Sequence, residues 1–109
     1  MKIPMSAAAS GLLRALLARA GVARDRILLI EFRSVDWQSL TFVGERHKIR
    51  LRIPGPGAEE TAARLTQGLS DAEFSIPGQI VADIAVVGDP HPVEDGSIGI
   101  DIEALTIAE

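Results

Sequence analysis

The chain has 109 residues, of which 47% are hydrophobic and 24% are charged, and its formal net charge is −4. This composition is typical of a single folded domain, and it excludes both a disordered chain and a broadly basic nucleic-acid binder. The sequence contains no cysteine, which excludes disulfides, thiolate metal sites and cysteine nucleophiles.

The first predicted element is an amphipathic helix that ends near Ala20. Ser6 or Ser10 can cap its first turn, and Gly21 can end it. Its leucines recur at helical spacing and predict a stripe that faces a core. Arginines interrupt the apolar run, which argues against a secretory signal, although the basic, acid-free segment of residues 1–21 also resembles an organelle presequence. We expect a core helix in a cytoplasmic protein that binds no membrane.

Three strands are predicted next, within residues 26–35, 40–44 and 47–53. They are rich in branched and aromatic residues, and the first and third alternate apolar with polar side chains. A polar bend around Trp37 separates the first two strands, and Gly44 predicts a turn between the second and the third. On the first strand, the side chains expected to face inward are Leu28, Ile30 and Phe32.

A Pro-Gly-Pro-Gly segment, residues 54–57, ends the third strand, and a second helix is predicted within residues 58–69. Two further strands are predicted within residues 80–88 and 97–107, on either side of a polar loop. The fourth strand is expected to face its even-numbered residues inward: Ile80, Ala82, Ile84 and Val86. In the fifth, a bulge near Glu103–Ala104 would return Leu105 and Ile107 to the core.

The predicted order of elements is α-β-β-β-α-β-β. Short connections favour antiparallel neighbours, so the sequence predicts one α+β domain spanning residues 1–109. Its architecture is a two-layer sandwich, in which two helices cover one face of a mainly antiparallel five-stranded sheet. This order resembles that of small α+β connector proteins of phage tails, and the resemblance implies a ring- or tube-forming structural role as one alternative function.

The third strand carries four cations at alternate positions: Arg46, Lys48, Arg50 and Arg52. Residues 1–54 hold ten Lys and Arg against four acids, a net charge of +6, and residues 55–109 hold one against eleven, a net charge of −10. We expect the cations to form a cross-strand ladder with carboxylates on the other strands: Glu31, Asp83, Asp101 and Glu103. An anionic ligand or an acidic protein partner is the alternative, and nucleic acid is not expected because aromatic stacking partners are missing.

Two histidines are candidates for chemistry. His47 shares strand parity with Glu45, so the pair could act as a base and its orienting group, although an ordinary surface histidine is the expectation. The loop around His91 offers oxygen and imidazole metal ligands from four side chains: Asp89, His91, Glu94 and Asp95. Because their spacing matches no known metal motif, we predict a solvated turn, with no metal, no cofactor and no catalytic residue.

The sequence points to assembly more than to catalysis. Several apolar residues fall on the predicted outer face of the sheet: Leu29, Val35, Val43, Val81 and Val87. Such a face favours self-association, so we expect a non-catalytic interaction protein that forms a homodimer. Its candidate interaction residues are Trp37 and the four cations. The remaining alternative is a ligand-binding or metal-binding protein, or an enzyme, that uses His47 with Glu45 or the loop of residues 89–95.

Overall fold

The computed structural model describes residues 5–109, and in it two α-helices pack on one five-stranded antiparallel sheet. Residues 1–4, part of both the predicted domain and the presequence-like segment, lie outside the described residues. The helices and strands, in chain order, are α1 (Ala7–Ala20), β1 (Leu28–Gln38), β2 (Val43–Ile53), α2 (Ala58–Thr66), β3 (Gln79–Val86), β4 (His91–Pro92) and β5 (Ile98–Ala108). The predicted α+β class, with five antiparallel strands and two helices, is confirmed.

The strands lie side by side in the order β1-β2-β5-β3, and the two-residue strand β4 also pairs with β5. β5 is therefore central, although it comes last along the described chain. β1 and β3 form the two edges. The long hairpin β1–β2 supplies half of the sheet, and β5 joins it to β3 through antiparallel ladders on both sides.

One core lies between the inner face of the sheet and the helices. Alternate residues of β2 and β5 meet across the ladder, so that Ile49 opposes Ile102 and Leu51 opposes Ile100. Leucines from both helices, Leu12, Leu16 and Leu65, are fully buried in the same cluster. The helices therefore cover the β2–β5 centre of the sheet.

Helix α1 begins and ends as its sequence predicts. The Ser6 hydroxyl accepts a hydrogen bond from the Ala9 N–H at 3.1 Å, and Gly21 takes a left-handed conformation at φ 71°. Its last turn is joined to α2, because Arg19 donates to the Leu65 carbonyl at 3.0 Å and Arg64 donates to the Ala20 carbonyl at 3.1 Å. Within residues 5–109, no helix is long and apolar enough to cross a bilayer.

The predicted order of strands is wrong in one detail, because the observed order is α-β-β-α-β-β-β. Most of the strand expected at residues 40–44 is instead the turn, and its last residues, Val43 and Gly44, continue into the next expected strand as the single strand β2. A Cβ at Gly44 would meet the backbone carbonyl of Thr106, so this glycine marks a close approach of β2 to β5 instead of a turn. The turn lies at residues 39–42, where the Ser39 N–H donates to the Phe42 carbonyl at 2.8 Å. The remaining strand is the two-residue β4, which lies within the predicted polar loop.

The predicted inner face of β1 is correct only at Phe32. A bulge between Leu29 and Glu31 shifts the register, and both Leu28 and Ile30 are exposed. A bulge adds one residue to a strand and so reverses which side chains face inward. The local alternation of the sequence therefore predicted the wrong face for this part of the strand.

The inner faces of β3 and β5 differ from the prediction only at one end of each strand, since Ile84, Val86, Ile98, Ile100 and Ile102 face inward as predicted. A bulge between Val81 and Asp83 places Val81 and Ile84 on the inner face, and Ile80 is 51% exposed. The bulge expected in β5 is absent, because its ladder with β2 runs unbroken from Ile98 to Ile107. Thr106 is consequently the buried residue at this end of β5.

Candidate functional site

The first candidate site is the surface of β1. None of its eleven side chains is buried, nine are exposed, and only Phe32 and Trp37 are half-buried. β2 pairs along one side of β1, and no strand within residues 5–109 pairs along the other. A long edge strand of this kind offers free backbone N–H and C=O groups to another strand.

Exposed apolar side chains concentrate on β1 and on the turn that follows it. Ten large hydrophobic residues are exposed within residues 5–109, and seven of them fall between residues 28 and 43. These seven are Leu28, Leu29, Ile30, Val35, Leu40, Phe42 and Val43. Single exposed apolar residues are ordinary on protein surfaces, but their concentration on one strand and the turn that follows it favours an interaction site there.

Trp37, one of the predicted interaction residues, lies near the turn end of β1. It pairs with Gly44 across the hairpin, and the Arg46 guanidinium lies 6.0 Å from the centroid of its ring. That distance is within the range of a cation–π contact. Trp37 and Arg46 therefore form a preformed aromatic and cationic pair on the outer face, beside the exposed side chain of Val35.

The basic row lies on the outer face of β2, and carboxylates neutralise its middle. Arg50 lies between Glu31 and Asp101 in the ladder, and its Nε is 2.9 Å from an Asp101 oxygen. Hydrogen bonding to Asp101 and its charge raise the pKa of Arg50. Lys48 lies opposite Glu103. The expected ladder is thus present at the centre of the row.

The two ends of the basic row have different neighbours. Arg46 lies opposite Leu105, and Arg52 lies opposite Gly99. Within residues 5–109, neither side chain is within ion-pair distance of a carboxylate. Asp83, predicted to belong to the ladder, lies beside Leu105 on β3. The row therefore leaves positive charge at its Arg46 end, whereas the charge of Arg52 acts on Asp95 and helps to lower the pKa of that carboxyl.

The second candidate site is a polar cluster around His47. The side chain is only 1% exposed, so the expectation of a surface histidine is wrong. Its Nδ1 lies 2.7 Å from the Ser34 hydroxyl on β1, and its Nε2 lies 2.8 Å from the Thr106 hydroxyl on β5. A hydroxyl can donate or accept, so either tautomer of the neutral ring satisfies both nitrogens. Ser34, His47 and Thr106 are therefore hydrogen-bonded in series, and they link β1, β2 and β5.

Burial lowers the pKa of His47, and the negative charge of Glu45 opposes this shift. The neutral imidazole is consequently the stable form at pH 7, and its unprotonated nitrogen can accept a hydrogen bond from a neighbouring hydroxyl. Ser34 is exposed to solvent, whereas the ring is shielded by Phe32, whose ring meets it edge-on at a centroid distance of 5.7 Å. The cluster is therefore closed, and only its Ser34 end reaches the surface.

Glu45 does not contact His47 through a hydrogen bond; it binds the start of α1. The Ser6 hydroxyl donates to a Glu45 carboxylate oxygen at 2.8 Å while it caps the helix. This contact fastens the first turn of α1 to β2. The predicted base-and-orienter pair of His47 with Glu45 is thus replaced by two separate contacts.

The loop of residues 89–96 does not gather its candidate ligands. Within residues 5–109, no three His, Asp or Glu side chains lie close enough to share a metal ion. The exposed His91 ring packs over Gly99, and Asp95 accepts hydrogen bonds from the Ser97 N–H at 3.0 Å and the Ser97 hydroxyl at 2.5 Å. These bonds lower the pKa of Asp95. Asp89 and Glu94 are exposed.

Sequence reasoning missed Ser34 and Thr106, the two hydroxyl partners of His47. The position of Ser34 could have been predicted from the sequence, because a turn centred on Leu40 and Thr41 places Ser34 opposite His47 in the hairpin. The position of Thr106 could not have been predicted, since the register between β2 and β5 depends on contacts between residues that are distant in sequence.

No protein-family model, curated protein or solved structure matches the chain. Function is therefore inferred from the geometry of the described residues. They present an open apolar strand edge, which can bind another chain, and a closed polar cluster, which holds three strands of one chain together.

Proposed function

We propose that the protein is a non-catalytic assembly module, which forms a homodimer by pairing β1 with β1 of a second copy. The observation that carries this proposal is the burial of β1, where nine of eleven side chains are exposed and none is buried. A second strand along the free edge would extend the sheet through backbone hydrogen bonds. The same contact would place apolar side chains of the second copy beside those of β1 on each face of the extended sheet.

The charges of β1 suit pairing with an identical strand. Glu31 and Arg33 follow each other on the outer face, and their charged groups are 3.9 Å apart. In an antiparallel pair centred on Phe32, each Glu31 would lie opposite Arg33 of the other copy. Opposite charges in such positions stabilise a strand pair and fix its register. A two-fold symmetric contact, the commonest kind in homo-oligomers, would therefore create no like-charge pair at these positions.

We also propose a protein partner and a location in the cytoplasm. The outer face carries both signs of charge, and carboxylates pair with the centre of the basic row, which favours a protein partner over nucleic acid. We propose that assembly takes place in the cytoplasm, because a cysteine-free chain suits a reducing compartment.

Light scattering after size-exclusion chromatography tests the proposal over a series of protein concentrations. The unmodified chain should reach twice the monomer mass. Val35→Lys should stay monomeric at the same concentrations, because it places a charge in the contact. Val87→Lys is the matched control: Val35 is 55% exposed and Val87 is 48% exposed, but Val87 lies outside β1. It should dimerise like the unmodified chain.

Circular dichroism of each variant verifies that the fold is kept. A chain that remains monomeric at every concentration would overturn the proposal, and so would dimerisation of Val35→Lys equal to that of the control. Masses above the dimer would favour the ring- or tube-forming alternative implied by the phage-tail resemblance.

A further inference from the structure

The buried ring of His47 lies one strand away from the free edge of the sheet. It belongs to β2 and is opposite Ser34 of β1, the strand whose other side is unpaired within residues 5–109. The ring is 1% exposed, and its two nitrogens bind the hydroxyls of Ser34 and Thr106. A strand placed along β1 would therefore change the surroundings of this histidine.

A cleft of about 400 Å³ leads to the Ser34 end of the cluster. It lies between the start of α1 and β1, and its lining includes Ser6, Ala9 and Ser34. Phe32 and Arg33 also line it, although the first faces the core and the second lies on the outer face, so the cleft extends around the edge of β1. Water in the cleft can reach the Ser34 hydroxyl, whereas the imidazole behind it is shielded.

Only carboxylates from the hairpin share the inner face with the ring. Glu45 of β2 and Asp36 of β1 lie opposite each other, one ladder position from the pair of Ser34 and His47 along each strand face. The charge of Glu45 favours the imidazolium, so burial has to outweigh it to keep the ring neutral. Any further loss of water around the cluster strengthens the neutral form.

The other elements packed near the ring direct no charge at it. β5 places an alanine and the Thr106 hydroxyl beside it, and its carboxylates lie on the outer face, as does Asp83 of β3. The charged residues of α1 are two arginines. Arg14 is exposed, and Arg19 binds the Leu65 carbonyl of α2. Solvent access at the Ser34 end is therefore the property of the site that a partner can change.

A second β1 strand would close the cleft at the edge of the sheet. Neighbouring strands lie about 4.8 Å apart, so the strand of the second copy would replace the water along this edge. Removing water from an ionisable group favours its neutral form. Neutral His47 keeps both hydrogen bonds in either tautomer, whereas the imidazolium would hold a positive charge with less solvation than in the monomer.

We propose that His47 makes the β1 contact sensitive to pH: two copies pair while the ring is neutral, and protonation of the ring separates them. The proposal rests on the β1 pairing proposed above and adds its regulation. The dimer binds the proton less readily than the monomer does, so association releases protons at acidic pH and weakens as the pH falls. Because burial already lowers the pKa of His47 in the monomer, the weakening begins below about pH 6.5, the value of an unperturbed histidine.

Sedimentation equilibrium between about pH 5 and about pH 8 tests the proposal through the dissociation constant of the dimer. For the unmodified chain, this constant should be steady above about pH 6.5. At lower pH it should rise by up to about 100-fold per pH unit, because each copy must release one proton to pair. In His47→Gln the constant should not change with pH. His91→Gln, at an exposed histidine outside the cluster, should behave like the unmodified chain.

Circular dichroism at each pH verifies the fold, and a second measurement serves if His47→Gln does not fold. The chain has two histidines, so His91→Gln leaves His47 as the only one. Dilution calorimetry of this variant, in two buffers of different ionisation enthalpy, counts the protons taken up when the dimer separates. The count should rise toward about two per dimer at acidic pH and should vanish above about pH 7.

A dissociation constant of the unmodified chain that does not change with pH would overturn the inference and leave β1 pairing intact. Dilution of His91→Gln without proton uptake would do the same. A pH dependence that persists in His47→Gln would also overturn it, because the protons would then come from another group. A chain that is monomeric at the alkaline end of the range would overturn β1 pairing and this inference together, so the two failures are distinguishable.

Discussion

Strands β1 and β5 have the same length and opposite surroundings. Each has eleven residues, and both are rich in apolar side chains. In β5, five residues are buried and two are exposed, whereas in β1 none is buried and nine are exposed. β5 has strands on both sides and helices above it, while β1 has one strand neighbour. Whether a strand of this sheet is buried therefore depends on its neighbours and not on its apolar content alone.

The comparison explains why β1 is the candidate site. A strand with an apolar composition and no cover lowers its free energy when another chain supplies the missing neighbour. β5 has no such capacity, since its backbone groups are paired on both sides along most of its length. The same substitution made in each strand should therefore distinguish β1, which can bind another chain, from β5, which is paired within its own chain.

The largest expected effect comes from removing the same atoms in the two strands. Ile102→Ala in β5, where the side chain is 1% exposed, should lower the free energy of unfolding by about 2–5 kcal/mol, because it leaves a cavity in the core. Ile30→Ala in β1, where the side chain is 44% exposed, should cost less than about 1 kcal/mol in the monomer. Urea unfolding at low protein concentration measures both values. Equal losses would contradict the contrast between the strands.

A smaller effect should appear with pH, through the cluster that joins β1 to β5. Burial lowers the pKa of His47, so the unfolded chain binds the proton more readily than the folded chain. Stability should be fully present above about pH 6.5, the value of an unperturbed histidine, and should be lost as the pH falls toward the lowered pKa. Urea midpoints between pH 5 and pH 8, about one unit or more on either side of that value, measure the loss.

His47→Gln should flatten this pH dependence while keeping hydrogen-bonding groups near Ser34 and Thr106. His91→Gln is the matched control, because His91 is exposed and lies outside the cluster. It should retain the slope of the unmodified chain. A slope that persists in His47→Gln would exclude the cluster as its source.

The smallest expected effect concerns the outer face. Arg50 forms an ion pair with Asp101 at 2.9 Å, whereas Arg52 lies opposite Gly99 and acts on Asp95 only from a longer distance, so Arg50→Gln should lower the melting temperature slightly and Arg52→Gln should lower it less. The Arg50 pair is solvent-exposed, and salt screens such pairs. Calorimetry at low and high ionic strength should show the difference at low salt only. An effect of Arg50→Gln that survives high salt would point to packing instead of charge.

The sequence predicted the elements whose signals are local. Ser6 and Gly21 mark the ends of α1, and the strict alternation of β2 gives its inner and outer faces correctly. The alternating cations of β2 also placed Arg50 opposite carboxylates on both neighbouring strands. These features follow from capping, periodicity and parity, which act over a few residues.

The features that the sequence did not predict depend on contacts between distant residues. The bulges at Leu29–Glu31 and Val81–Asp83 reverse the predicted inner face only in the part of β1 and of β3 that precedes each bulge, and no local sequence pattern predicts them. Glycine is common in turns, but Gly44 lies within β2, where the backbone of β5 approaches too closely for a Cβ atom. The polar partners of His47 come from two other strands, so its burial could not be predicted from its own segment.

The central position of β5 has a consequence for synthesis. β5 follows every other described element along the chain, yet the ladders of β2 and β3 both depend on it. While the ribosome is still making β5, the nascent hairpin presents Ile49, Leu51 and Ile53 as well as its outer apolar residues. Non-local pairing of this kind forms late and leaves such intermediates prone to aggregate. A chaperone that holds the hairpin during translation would therefore raise the yield of folded protein.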